Sequence, residues 1–245
     1  MEERLLIQDC SHCIVKGLSD LCNLTGEELE DFLTAQKFLI YDKHQTIFYE
    51  GKPCHGIYIL CTGKVKLVQS SRLGQQHILR IVNPGELIEK NGLYNMNRHS
   101  VTCETLERSQ INFIEKADFL NLIKKHKGLA LKLIDALSRE LELAQQKIGH
   151  SMFETARERL AEVLLELGQK YGTSNENEIH IALYLTREEL AELTGTSLET
   201  VVRLLGAFKR ERIVKTDGKR ITLLNLPKLK QICHSAIAFP KAQST

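Results

Sequence analysis

Long apolar runs, proline and an excess of either charge are what this 245-residue chain lacks. No stretch approaches the roughly 18 apolar residues that a membrane span requires. The opening residues, MEERLLIQDCSHC, set acids beside the early arginine and contain no apolar h-region, which argues against a signal peptide. With only four prolines and 15 glycines, a long low-complexity linker is not expected. The 33 Lys+Arg residues against 31 Asp+Glu leave a net charge of +2, so no global field demands a polyanion or a membrane surface. With 42% hydrophobic and 26% charged residues, the composition is that of a soluble globular protein. A cytoplasmic chain with one large domain or two ordinary ones is therefore expected.

Catalytic signatures are missing as well. There is no P-loop, nucleophile elbow or dinucleotide fingerprint. His44, His55, His77 and Glu86 are scattered, without dense His-x-His or Glu-x-x-His spacing, which leaves a β-barrel metal enzyme as a remote alternative. The expectation is a non-enzyme. Cysteine is present seven times, at 10, 13, 22, 54, 61, 103 and 233. An odd number in a reducing compartment is not a disulfide framework.

What is present changes character along the chain. From about residue 38 to 115, short apolar alternations such as GIYILCTGKVKLVQ are punctuated by glycines at 51, 56, 63, 74 and 85, as in an all-β roll or barrel. The period then becomes helical. Ile134, Leu137, Leu141, Ala144 and Ile148 fall at alternating gaps of three and four, either a seam between two chains or a helix packed on its own β-domain. A second amphipathic helix, ARERLAEVLLELGQKYG, ends at Gly172 before the polar loop TSNENE. A strand, IHIALYL, follows.

Thr186 and Glu189 have capping-box spacing, Gly195 stands where two helices meet, and Ser197 caps a helix through LETVVRLLGAFKRER. The hairpin RIVKTDGKRITLLN completes a winged helix-turn-helix. Glu199 and Arg203, four apart, share a face near the start of the second helix. There an arginine offers a bidentate fork to guanine and a glutamate accepts from cytosine. Ser197, Thr200 and Arg187 are candidate contacts to phosphate or base edges. For Glu199 and Arg203 the alternative is a surface ion pair; for the basic residues Lys209, Arg210, Arg212, Lys215, Lys219 and Arg220 it is a solvated face.

These residues carry a resemblance. LTREELAELTGTSLETVVRLLGAFKR resembles the DNA-binding helices of the Crp/Fnr family of bacterial transcription regulators, and EGKPCHGIYILCTGKVKLV resembles the first glycine-rich hairpin of the family's sensory roll. VTCETLERSQINFIEKADFLNLI is similar to the roll's last strands and the start of the dimer helix, so the resemblance extends over about residues 20–230. It implies an α+β chain: a cyclic-nucleotide-binding-type β-roll, a long dimerisation helix and a C-terminal winged helix-turn-helix. The expected boundaries are a cysteine-containing segment 1–25, the roll 26–125, the helix 126–150, the DNA-binding domain 151–235 and a tail 236–245. It also implies a homodimer on a palindromic operator, double-stranded DNA and RNA polymerase as partners, no membrane, and an effector that shifts the two heads. Leu198 and Val202 depart from the cyclic-AMP-receptor and Fnr patterns, which leaves the flanking bases of the site open.

The effector is expected from one of two places. The family's phosphate pocket is a Gly-Glu-Leu turn followed by Arg-Ser, and here Gly85-Glu86-Leu87 is followed by Arg98-His99-Ser100. His99 takes the place of the phosphate-binding arginine, with Arg98 one step off, and Glu89 between them would oppose an anionic phosphate. The other place is Cys10-x2-Cys13-x8-Cys22, which resembles the cysteine cluster that holds a [4Fe–4S] centre in Fnr-type oxygen sensors. The family's fourth cysteine falls at Asn112, leaving Cys61 or Cys103 as substitutes, with Cys54 and Cys233 weaker. Zinc with His12, a thiol switch and plain burial are the alternatives for these cysteines; haem on His77 or His99 has no spacing behind it.

Overall fold

A computed structural model of the protein describes residues 26–89, 98–151, 154–175 and 178–233. They divide between Leu143 and Ala144 into two compact units. No helix among them is long and apolar enough to cross a membrane. Cys10, Cys13, Cys22, the tail 236–245 and the side chain of Ile148 lie outside what is described.

The first unit begins with helix α1 (Glu27–Ala35), whose first turn carries Glu27, Glu28 and Glu30 where the helix dipole favours acids. Seven strands follow: β1 (Gln36–Tyr41), β2 (Thr46–Phe48), β3 (Gly56–Thr62), β4 (Val65–Ser70), β5 (Gln76–Val82), β6 (Thr102–Thr105) and β7 (Ser109–Glu115). They form two antiparallel sheets, ordered β1-β7-β3 and β2-β6-β4-β5. Period-two alternation sorts β3 between two cores. Leu60 faces the inter-sheet core with Phe48, Val65, Leu67 and Val82. Ile57 and Ile59 face the other way and pack with Phe32, Phe119 and Leu122. The β3–β4 turn needs Gly63, at φ 87°, because a Cβ there would lie 2.3 Å from Ser109 Oγ.

Helices α2 (Lys116–Lys125) and α3 (Lys127–Ser151) close the helical side of this core. The seam expected along α3 is divided between two jobs. Leu129, Leu133 and Ala136 are buried, and Leu137 packs against the unit's own core. Ile134 and Leu141 are 58% and 60% exposed, and Ala144 is exposed as well. Leu137 therefore belongs at least partly to the roll, and Ile134 and Leu141 are the free apolar positions.

The second unit contains α4 (Ala156–Tyr171), β8 (Gly172–Asn175), β9 (Glu178–Ile181), α5 (Arg187–Thr194), α6 (Leu198–Arg210), β10 (Val214–Asp217), β11 (Arg220–Leu223) and α7 (Leu226–Cys233). The strands form one sheet ordered β10-β11-β9-β8. The loop expected at TSNENE is in part strand β8, paired with β9 from Gly172↔Ile181 to Asn175↔Glu178. A polar edge strand has no apolar alternation to betray it. Only the first part of IHIALYL is strand, and β9 ends at Ile181. Neither α1 nor α7 was signalled by the sequence, being nine and eight residues long.

Candidate nucleic-acid interface and effector pocket

The helix-turn-helix head of the second unit is assembled by caps. The hydroxyl of Thr186 accepts the Glu189 N–H at 3.1 Å, while the Glu189 carboxylate accepts the Thr186 N–H at 2.8 Å, a complete capping box. Gly195 ends α5 in the left-handed region at φ 62°, ψ 45°, which glycine enters without strain. Ser197 then caps α6, accepting the Thr200 N–H at 3.2 Å and donating its hydroxyl to Thr200 Oγ1 at 2.9 Å. Val201, Leu204, Leu205 and Phe208 are buried at helical spacing, which turns the opposite face to solvent. Glu199 and Arg203 are exposed on that face beside Leu198 and Val202. Among the described residues, no hydrogen bond or ion pair engages either charged side chain, so the surface pair that their spacing allows is not made.

Three arginines brace this face. Arg159 on α4 donates to the carbonyls of Glu154 (2.8 Å), Thr194 (2.9 Å) and Gly195 (3.4 Å), clasping the turn between α5 and α6. Arg157 makes two 2.9 Å bonds to Glu211 and stacks over Phe208 at 4.8 Å. That guanidinium holds the Glu211 carboxyl below its ordinary range. Arg187 donates to the Gly218 carbonyl in the β10–β11 turn at 2.9 Å, so it ties α5 to the wing. Sequence reasoning missed Arg157 and Arg159, because an arginine that serves backbone carbonyls looks like any surface arginine. The six basic residues from Lys209 to Arg220 are all exposed, and Arg220 lies over the Tyr184 ring.

In the first unit the residues of the expected effector pocket are brought only partly together. The Gly85 N–H donates to the Leu60 carbonyl at 2.7 Å, and Glu86 is engaged by Arg80 and Asn83 at 3.3 Å each. Arg80 also donates to the carbonyls of Leu87 and Ile88, and its Nε lies 4.0 Å from Glu140 on α3. Arg98 turns away, its guanidinium donating to the Gly51 carbonyl. His99 and Ser100 converge on Glu89, at 2.5 Å and 2.7 Å.

The described cysteines are wholly or partly buried. Cys103 is fully buried in the inter-sheet core, and burial pushes its thiol well above the ordinary range. Cys61 is also buried, its thiol directed to the Ile59 carbonyl. Cys54 is buried too, and its thiol is raised by desolvation. Burial and nearby acids push Cys233 up to about 12. No group of three metal-ligating side chains occurs among the described residues. Asn112, where the family's fourth cysteine falls, is buried and bonds Gln36 through its amide.

Comparison with known proteins places two domains on this architecture. Residues 38–126 match a cyclic nucleotide-binding domain and residues 158–232 a Crp-like helix-turn-helix domain. The chain is 28% identical over 218 residues to the cyclic AMP receptor protein of Thermus thermophilus, covering 89% of this chain and 98% of that one. It is 27% identical over 226 residues to the anaerobic regulatory protein of Pasteurella multocida, covering 90% and 82%. Among solved structures, a transcriptional regulator from Thermus thermophilus superposes with a TM-score of 0.69 at 25% identity, over 82% of this chain and all of that one.

Proposed function

The chain belongs to the Crp/Fnr family of DNA-binding transcription regulators, and from that premise we propose that two copies read a palindromic operator, each through the first turns of α6. Arg203 forks onto guanine O6 and N7, and Glu199 accepts from cytosine N4. Ser197, Thr200 and the basic wing meet the phosphates, with Arg187 holding the wing in place. Dimer contact is made by apolar positions of the α3 seam that the roll leaves uncovered, Ile134 and Leu141. The observation that carries this reading is the state of Glu199 and Arg203: exposed, on one face, and without a protein partner.

Selection of binding sites from randomised DNA tests it. The expected product is an inverted repeat with a G·C pair in each half-site and half-site centres about 34 Å apart. Enrichment of unrelated or unpaired sequences would sink it. Leu141→Glu tests the dimer separately and should halve the sedimentation mass, since that side chain is 60% exposed and its change leaves the roll's core alone. An unchanged mass would remove α3 as the dimer contact.

A redox signal is the second reading. It is favoured by Cys10-x2-Cys13-x8-Cys22 and by kinship to an anaerobic regulatory protein. Its ligands would be those N-terminal cysteines with Cys61 or Cys103, both buried, as the fourth. Iron and sulfide analysis of protein purified without oxygen decides it, and iron-free protein discards it. RNA polymerase is the further partner that this reading of the family implies.

A further inference from the structure

The groups that would receive an anion in the roll already hold one. The Ser100 N–H and the Ser100 hydroxyl both donate to Glu89 Oε1 at 2.7 Å. His99 Nδ1 lies 2.5 Å from Glu89 Oε2, so both carboxylate oxygens are engaged. Glu89 is 8% exposed and His99 4%. The imidazole is stacked flat on Phe48, with ring centroids 3.8 Å apart and planes 9° from parallel, which fixes its direction. A backbone N–H, a hydroxyl and an imidazole converging on two oxygens make an oxyanion cradle, and a phosphate oxygen would accept the same bonds.

The charge of the occupant is also maintained. Burial alone would push the Glu89 carboxyl up, but the bonds from His99 and Ser100 outweigh it and leave the group below the ordinary glutamate range. That negative charge contributes to the raised thiols of Cys54 and Cys103 and to the Tyr58 hydroxyl, pushed up to about 12 chiefly by burial.

We propose that Glu89 is a built-in occupant of the roll's oxyanion cradle, so that the native chain has no free place at Ser100 and His99 for the phosphate of a nucleotide. An incoming phosphate meets a like charge in a low-dielectric pocket and must displace it. The occupant is also adjacent to the rest of the roll's polar chain. Arg80 holds the carbonyls of Leu87 and Ile88, immediately before Glu89, and pairs at 4.0 Å with Glu140 on α3. This inference concerns the roll alone and stands whether or not α6 reads DNA.

Calorimetric titration with inorganic phosphate and with cyclic AMP, on wild type and on Glu89→Ala, tests it. The wild type should bind neither, and Glu89→Ala should bind at least one, at least about tenfold more tightly than any residual wild-type binding. Adding Ser100→Ala should weaken that gain. Phosphate alone bound would mark a general oxyanion site, whereas cyclic AMP bound in preference would mark a nucleotide pocket that Glu89 closes. Wild-type protein that binds cyclic AMP as tightly as the variant overturns the proposal, and so does a folded variant that binds neither. If Glu89→Ala does not fold, Glu89→Ser empties the cradle with a short polar side chain, and the same two outcomes apply to it.

Discussion

Each unit of the molecule sets an acid beside a basic side chain, and the two pairs are treated in opposite ways. In the roll, Glu89 and His99 are buried 2.5 Å apart, and the remaining carboxylate oxygen is met by Ser100. On α6, Glu199 and Arg203 are exposed at a spacing that would let them meet, and they do not. A buried charge must be answered within the fold, because nothing else is available to solvate it. An exposed charge can wait, because water holds it until a partner arrives. The roll has closed its polar site on itself, and the head has built a braced surface whose hydrogen-bonding capacity is left for something outside the chain.

The largest effect is expected where the bracing itself is removed. Arg159→Ala strips donors from the Thr194 and Gly195 carbonyls at the α5–α6 turn and from that of Glu154 before α4, and should cost about 2–3 kcal/mol in urea unfolding of the head. An unchanged midpoint would show that the turn holds without its clasp, and the contrast between braced support and free charge would weaken. Arg203→Ala should do the reverse. Stability should stay within about 0.5 kcal/mol of wild type, while binding to the selected operator falls by about 1–3 kcal/mol and the guanine preference relaxes. Equal losses on selected and scrambled DNA would make Arg203 a phosphate contact only.

The smallest and most diagnostic effect belongs to the roll. Glu89→Gln should lower stability at neutral pH by on the order of 1 kcal/mol. Because the folded-state value of Glu89 is depressed, its contribution is complete above the ordinary glutamate value of about 4.3 and is lost as the pH falls through the folded value. The gap between wild type and variant should therefore close as the pH is lowered from about 5 towards 3, read by urea titration at a series of pH values. A gap that persists in acid would mean that shape, not charge, is what the cradle holds.

How much of this was legible beforehand follows the same division. The reading head announced itself because its signals are local: Thr186 and Glu189 three apart, Gly195 at the turn, Ser197 at the cap, Glu199 and Arg203 on one face. The roll announced its strands through alternation and its turns through glycine. What stayed hidden depends on distance in sequence. Arg159 reaches Thr194 and Gly195, 35 and 36 residues away, and nothing in ARERL marks it. Glu89 was legible only as an obstacle to a phosphate, since its bonds to His99 and Ser100 span ten and eleven residues. Leu137 fits the heptad as well as Leu141 does, and only packing against Phe32 and its neighbours separates them.

The arginine ties of the head have a consequence for its tolerance of change. Arg157 closes on Phe208 and Glu211, Arg159 on Glu154, Thr194 and Gly195, and Arg187 on Gly218, all within residues 154–233. A segment that carries its own scaffolding can accept changes at the exposed Leu198 or Val202 without disturbing any of these ties. The surface can vary while the frame beneath it holds.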